Sequence, residues 1–507
     1  ASFYRLIPQL VIRALNEGEV SYILKTCSQL GIPVTFRAAG TSLSGQAVTD
    51  SVLVIAGGDW KRYSINESKS EITLEPGITG GKANSLLAGY GKKIGPDPAS
   101  INSAMIGGIT ANNASGMCCG TSDNSYKTVA GMRLVLADGT VLDTRDELSR
   151  EAFRNKHPEV LSGVREIAEK ARQNTGLAEK IRRKYKIKNT TGYSLNALID
   201  FDDPFDILTH LLIGSEGTLG FISEVTLRTI ENKQFRASSL MIFPDVERAC
   251  RAVIRMKTTP VAAVELIDRA GLRAVENEKG IPDYIRGLDG ESCALLIETA
   301  ASTYAILNEN ITAIVNSVRD IVTADISFTD IPEEYEKLWK LRKGLFPSVG
   351  AMRRSGTNII IEDVAFPLHS LAEATHDLQL LLKKHGYHDA VIFGHALEGN
   401  LHFVFSQDFG NEGEINRYSS LMSEVSELVV SKYEGSLKAE HGTGRNMAPF
   451  VELEWGKEAY SLMVSIKKLL DPSNILNPGV ILNEDQNVHL KNLKPVTASF
   501  DITEKMH

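Results

Sequence analysis

Val34-Thr-Phe-Arg-Ala-Ala-Gly-Thr-Ser-Leu-Ser-Gly45 runs from a short strand directly into a loop of alanine, glycine and hydroxyl residues. Ahead of it, Val20 to Leu30 carries apolar residues at helical spacing and stops at Gly31-Ile-Pro33. Behind it come a buried strand, Ser51-Val-Leu-Val-Ile55, and an alternating stretch, Glu71-Ile-Thr-Leu-Glu-Pro76. Short strands and helices broken by glycine turns continue to about residue 230, an α/β pattern. The small side chains of the loop let backbone N–H groups approach a pyrophosphate, and Thr41, Ser42 and Ser44 add hydroxyl donors. It is neither G-x-G-x-x-G nor G-x-x-x-x-G-K-S/T, which removes the Rossmann and P-loop readings. Standing alone it reads as a turn. Gly95-Pro-Asp-Pro-Ala-Ser100, Gly107 to Gly116 and Gly214 to Glu224 repeat its texture, however. Gly-rich, hydroxyl-rich segments spread along one α/β region suit a long ligand with several polar points, a dinucleotide.

From Lys233 the texture changes. Ala237–Phe243, Val261–Ile267 and Cys293–Glu298 read as strands, with helices over 245–257 and 304–317 between them. The economical reading is an α+β unit whose sheet carries helices on one face. Glu414 to Val430 and Glu452 to Leu470 read as amphipathic helices, the second ending at Asp471-Pro-Ser-Asn474. The expected units are 1–230, 231–440, a segment 441–482, and a tail 483–507 that lies over the surface or is mobile.

The 507 residues carry a formal charge of −8, which gives no basic field for nucleic acid. The densest basic cluster, Lys180 to Lys188, reads as a solvated helix face. Five cysteines, an odd number without a C-x-x-C pair, point away from disulfides and toward a reducing, cytoplasmic setting. No apolar run reaches membrane-spanning length, and no signal-peptide pattern opens the chain.

The chemistry concentrates in Phe393-Gly-His-Ala-Leu-Glu-Gly-Asn-Leu-His-Phe403 and Lys438-Ala-Glu-His-Gly-Thr-Gly-Arg445. A lone histidine is usually a surface or satisfied core residue. Two glycine-punctuated segments holding His395, His402, Glu440 and His441 suit a divalent transition metal with open positions beside a general base.

The ordered series R-x-x-G-T-S-L-S-G, P-D-P-A-S, G-G-x-x-A-N-N-A-S-G and G-S-E-G-T-L-G resembles the flavin domain of the vanillyl-alcohol-oxidase superfamily. G-H-x-x-x-G-N-L-H and A-E-H-G-T-G narrow the resemblance to its FAD-linked D-lactate, D-2-hydroxyglutarate and glycolate dehydrogenase branch. That resemblance implies an α+β fold: a PCMH-type, two-subdomain FAD domain, a cap on an antiparallel sheet, and a C-terminal helix returning to the FAD domain. It implies FAD, held without a covalent bond since no histidine stands in the N-terminal flavin loops. By position, Arg37, Ala38, Ala39, Gly40, Thr41, Ser42, Leu43 and Gly45 line the pyrophosphate loop. Pro96, Asp97, Ser100, Gly107, Gly108, Asn112, Ser115 and Gly116 hold the pyrophosphate and isoalloxazine side. Glu216, Gly220 and Ile222 lie near the adenosine. The resemblance places His395, His402 and Glu440 on zinc or manganese, with His441 as base and hydride passing to the flavin.

It also implies that Arg342, in Trp339-Lys-Leu-Arg342, clamps the substrate carboxylate, against a solvated salt bridge as the alternative. Asn400 orients backbone or ligand near the metal, and Glu398 is a loop cap or a neighbour of the site. Lys188-Asn-Thr-Thr-Gly-Tyr193 resembles a segment that reaches flavin and substrate, and reads equally as a turn. In Ile359-Ile-Ile-Glu-Asp-Val-Ala-Phe-Pro367, Ile361 falls where 2-hydroxyglutarate enzymes carry a lysine. This leans toward a smaller acid, D-lactate, unless Arg353, Arg354 or Arg445 compensates. The expected function is FAD-dependent D-lactate oxidation, with electrons passed to a quinone, cytochrome or iron–sulfur partner. The alternatives are a D-2-hydroxyglutarate or glycolate dehydrogenase, and a flavin-carrying electron-transfer subunit inactive alone. The resemblance leaves room for a homodimer and for peripheral contact with the inner membrane. Some relatives continue past N-P-G-V-I-L, here Asn477 to Leu482, into a cysteine-rich iron–sulfur domain, so this chain is read as a portion of such a protein or as the partner of a separate acceptor subunit.

Overall fold

In a computed structural model, residues 2–277, 283–322, 326–353 and 355–495 are described. Leu10–Arg13 (β1), Val34–Arg37 (β2) and Val52–Ile55 (β3) form a parallel sheet in the order β1-β3-β2. The helix Glu17–Leu30 joins β1 to β2. Its start is fixed by Asn16, which accepts from the Glu19 amide, while Glu19 accepts from the Leu15 amide at 2.8 Å. It ends at Gly31, in the left-handed region that a helix stop favours. Val20, Leu24 and Cys27 of this helix meet Val34, Val52 and Val54 in one buried cluster.

Tyr63–Ile65 (β4), Glu71–Leu74 (β5), Lys92–Ile94 (β6), Val129–Val135 (β7), Val141–Asp143 (β8) and Phe221–Glu231 (β9) build the second sheet. Its order is β4-β5-β9-β7-β8, with β6 also on β9, and every pairing is antiparallel. The C-terminal helix Val451–Leu470 returns to this half and packs on the helix Pro158–Gln173. Trp455 and Met463 lie in the same core as Val164 and Ile167. The helix is not continuous: Gly456 has φ +77° and breaks it.

Phe235–Phe243 (β10), Ala263–Ile267 (β11), Cys293–Ala301 (β12), Asn358–Ala365 (β13), Val391–His395 (β14) and Asn400–Gln407 (β15) form a third sheet. It is antiparallel throughout, in the order β10-β12-β11-β14-β15-β13. The expectation of helices on one face is corrected here. Val246–Met256, Tyr304–Val318, Leu371–Lys384 and Glu412–Glu427 cover one face. Arg269–Val275 and Pro332–Met352 cover the other, through Leu272, Val275, Leu341 and Leu345. The strands are apolar on both faces, with Leu266 in one core and Ile267 in the other, so neither face can stay in water.

One further expectation changes. The Lys180–Lys188 cluster is not simply a solvated face: Lys184 and Lys188 are buried and paired with Glu454 and Glu440, because burial of such cations demands a counter-charge. The described part of the tail, mostly exposed or half-buried, is anchored to the body at a few points. Val488 and His489 are buried, Lys494 donates its amide to Phe3, and Leu493 bridges to Tyr4. Residues 496–507, the remainder of that expected tail, fall outside the described residues. Among the described residues no helix is long and apolar enough to cross a membrane.

Candidate active site

Strand register assembles the site. On β14, His395 pairs with Glu265 of β11; on β15, His402 pairs with Asp363 of β13. The β14–β15 turn depends on Gly399, at φ +63°, where a Cβ would stand 2.0 Å from the Phe366 carbonyl oxygen. The segment 438–445 is tied to β13 through the Glu440 amide on Asp363, and it brings Glu440 and His441 against the two histidines.

His395 Nε2 lies 3.3 Å from Glu440 Oε1 and 3.4 Å from His402 Nε2, and the His402–Glu440 pair closes the triangle at 3.6 Å. Tetrahedral ligands at about 2.0–2.1 Å from zinc sit about 3.3 Å from one another. The three donors therefore fit three corners of such a site. The electrostatics agree with the donor chemistry. Burial drives His402 well below the ordinary histidine range, keeping it neutral. Burial would raise Glu440, but Lys188 and then His395 outweigh it and hold the carboxylate well below its usual range. Glu265 behaves likewise: against the effect of burial, His395 and Arg342 bring it down to about 2. It takes His395 Nδ1 at 2.5 Å and Arg342 Nε at 2.6 Å. A ligating histidine held through its other nitrogen by a carboxylate is the usual support of a metal site.

The 438–445 segment is tied to the glycine-rich loops. Lys188 Nζ donates to Glu440 Oε2 and to the Gly116 carbonyl, both at 2.7 Å, and Ser115 Oγ donates to the same Glu440 oxygen at 3.2 Å. Asn112 Nδ2 donates to the Glu440 carbonyl at 3.0 Å, and Gln46 Nε2 to the His441 carbonyl at 3.0 Å. Glu216 accepts from the Gly444 amide at 2.8 Å, and its burial raises the carboxyl to about 8. Gly442 sits at φ +80°, with Asn112 and Glu216 so close that a Cβ would come 2.4 Å from Asn112 Oδ1.

One cavity of about 600 Å³ joins the loops to the histidines. Among the residues expected to hold a cofactor, Arg37, Ala38, Ala39, Gly40, Thr41, Ser42, Leu43, Ser100, Gly107, Gly108, Asn112, Ser115, Glu216, Gly220 and Ile222 line it. Arg342, His395, His402, Glu440 and His441 line its other end. Gly45, Pro96, Asp97 and Gly116 are not among the residues that line it. Asp97 accepts the amides of Cys118 and Cys119, and a Cβ on Gly116 would meet the Asp97 carbonyl at 2.0 Å. Asn400 also stands outside the lining: it donates to the Val364 carbonyl at 3.1 Å and receives Lys188 at 3.5 Å, so it orients backbone. Glu398 pairs with Lys257 at 2.8 Å and takes no part in the donor set.

Arg342 is anchored by Glu265 and stacks on Phe393, 4.3 Å from the ring centroid. Ile361 lines the cavity beside it. Of the three arginines expected to compensate, Arg353 bonds to the carbonyls of Thr357 and Gly350, Arg445 is not in the cavity wall, and Arg354 lies outside the described residues. Besides Arg37 and Arg342, Lys343 also lines the wall. Glu265, Gln46 and Lys343 escaped sequence reasoning. Only Glu265 carried a signal, a single carboxylate in the apolar run Val261-Ala-Ala-Val-Glu-Leu-Ile267.

The FAD binding domain family matches residues 8–145, and the FAD linked oxidases, C-terminal domain family matches residues 232–481. Among curated relatives, the glycolate oxidase subunit GlcD of Bacillus subtilis is 25% identical, over 95% of this chain and 90% of its own length. A mitochondrial D-lactate dehydrogenase [cytochrome] of Arabidopsis thaliana is 29% identical, over 94% of this chain and 74% of its own. The D-2-hydroxyglutarate dehydrogenase of Haemophilus influenzae is 26% identical over 95% of this chain, which spans 48% of that relative. Among solved structures, p-cresol methylhydroxylase with substrate bound superimposes with a TM-score of 0.65 at 15% identity, over 94% of this chain and 91% of that one. That likeness establishes the PCMH-type fold.

Proposed function

The chain belongs to the FAD-linked oxidoreductases of the D-lactate, D-2-hydroxyglutarate and glycolate dehydrogenase group, and from that premise we propose that it oxidises a small D-2-hydroxy acid, D-lactate, to the 2-keto acid. The observation that carries the reading is the single cavity, walled at one end by the glycine-rich loops and at the other by Arg342, His395, His402, Glu440 and His441. FAD in that cavity would supply the hydride acceptor, and zinc or manganese held by His395, His402 and Glu440 would supply a Lewis acid. Arg342, fixed by Glu265 and Phe393, binds the substrate carboxylate and so sets which face of the α-carbon is presented. His441 takes the hydroxyl proton on the ring nitrogen that faces the cavity. Ile361 and Phe393 give the substrate end an apolar wall that suits a methyl group. Electrons then leave to a quinone, cytochrome or iron–sulfur acceptor.

A second reading, a two-carboxylate acid such as D-2-hydroxyglutarate, is favoured by one observation, Lys343 in the cavity wall. The test is anaerobic bleaching of the flavin band by D-lactate, L-lactate, D-2-hydroxyglutarate and glycolate, before and after chelation. Rapid bleaching by D-lactate that is lost with chelator supports the first reading. Preference for D-2-hydroxyglutarate, abolished in Lys343→Ala, supports the second. A yellow, metal-replete protein that no acid bleaches refutes both and leaves the electron-transfer subunit.

A further inference from the structure

Asp363, fully buried on β13, belongs to neither the donor triangle nor the cavity wall. Its Oδ2 accepts the amides of Glu440 at 2.7 Å and His441 at 3.4 Å. Its Oδ1 lies 3.2 Å from His441 Nδ1. The two atoms face each other out of line for a hydrogen bond, and neither bonds to anything else. Buried polar atoms rarely stay unpaired, so a small rotation of the imidazole onto this carboxylate is the favoured arrangement. Lys438 stands 3.7 Å from Oδ1 and also pairs with Glu362, so one buried cation balances two adjacent buried carboxylates. The same Asp363, with His402 and His441, would frame a second cation. Lys438 already supplies the positive charge there, which favours a role toward His441 instead.

We propose that Asp363 is the positioning residue of His441. By accepting Nδ1–H it selects the tautomer whose bare Nε2 faces the cavity, and through Oδ2 it pins the main chain that carries Glu440 and His441. This rests on the reading of His441 as the base. In the step concerned, the substrate O–H bond breaks, its proton joins the Nε2 lone pair, and Nδ1 keeps its proton throughout. Glu362 and Asp363 are adjacent carboxylates in a largely apolar strand, which the sequence alone did not single out.

The experiment follows anaerobic flavin reduction in FAD- and zinc-replete enzyme, using the fastest-reducing acid among D-lactate, D-2-hydroxyglutarate and glycolate. In Asp363→Asn the amide would donate to Nδ1 and move the ring proton to Nε2. The limiting reduction rate is expected to fall on the order of 10²- to 10⁴-fold, with half-saturation, flavin spectrum and zinc content unchanged. In a His441→Ala background the same substitution should cause no further loss, because it acts through the missing ring. Losses that multiply, or a wild-type rate in Asp363→Asn beside a slow His441→Ala, overturn the positioning role. A wild-type rate in His441→Ala instead overturns the base reading beneath it. Should Asp363→Asn not hold flavin, ¹⁵N-histidine spectra of the wild-type holoenzyme decide. The signal absent from His441→Ala should show the Nδ1–H tautomer, and an Nε2–H tautomer refutes the proposal.

Discussion

Replacing Lys188 by methionine should destabilise the metal-free protein far more than the zinc-loaded one. The Lys188 side chain is 2% exposed and its partner Glu440 is 9% exposed. Methionine keeps most of the volume but removes the donor to Glu440 Oε2 and to the Gly116 carbonyl, both at 2.7 Å. Hydrogen bonds to charged groups contribute about 1.5–3 kcal/mol each. Removing one member of a buried ion pair costs about 3–5 kcal/mol, because the other charge is left in a medium that solvates it poorly. The two figures describe the same loss and agree, so about 3–5 kcal/mol is expected without metal. A divalent ion among His395, His402 and Glu440 would neutralise the same carboxylate and replace much of what Lys188 supplied. The loss with zinc should shrink by at least about 1.4 kcal/mol, equivalent to a tenfold tighter zinc affinity in the variant. Urea unfolding of both proteins, metal-stripped and zinc-saturated, measures the four free energies. A loss below about 1 kcal/mol without metal, or equal losses in both states, would refute the compensation argument.

Other outcomes follow from the same contacts. Glu265→Gln removes the carboxylate shared by His395 and Arg342. Zinc affinity should weaken about 10- to 100-fold in a competition titration with a chromophoric chelator, and unchanged affinity contradicts the supporting role. Gly442→Ala forces a Cβ to 2.4 Å from Asn112 Oδ1 at φ +80°. Strain of about 1–3 kcal/mol is expected there, read as a lower thermal midpoint and weaker flavin retention. Burial holds His210, stacked on Phe201, at about 4, whereas the unfolded chain titrates near 6.5. The unfolded state therefore binds the extra proton between those values. Stability present above pH 6.5 is lost as pH falls toward 4, by about 3 kcal/mol at most. His210→Gln should flatten that part of the stability–pH curve, and an unaltered slope refutes the assignment.

Much of this molecule could be read from residues near one another in the chain. Loops of small and hydroxyl residues announced a dinucleotide cradle because the backbone must come close to its ligand, and that demand is local. The helix Glu17–Leu30 was likewise legible from the apolar spacing of Val20 to Leu30 and the stop at Gly31, although its start at the Asn16 cap was not read. His395, His402, Glu440 and His441 stood out because two short glycine-punctuated segments gather imidazoles and a carboxylate, a donor set that suits a transition metal. The second covered face of the third sheet was present as unbroken apolar runs such as Cys293–Ile297, which signal burial on both sides but do not say what covers them.

Tertiary structure alone decided the rest. Sequence carries residue types, while electrostatic partnership depends on distances between segments far apart in the chain. Lys188 reaches Glu440 across 252 positions and Glu265 reaches His395 across 130. Lys188 sits in a basic run that reads as a solvated helix face, and the lone carboxylate of Glu265 in an apolar run does not say which partner it meets. Antiparallel register converted Glu265 and Asp363 from strand residues into neighbours of the histidines. Burial then made their charges matter, because a charge shielded from water interacts strongly with whatever the fold places beside it.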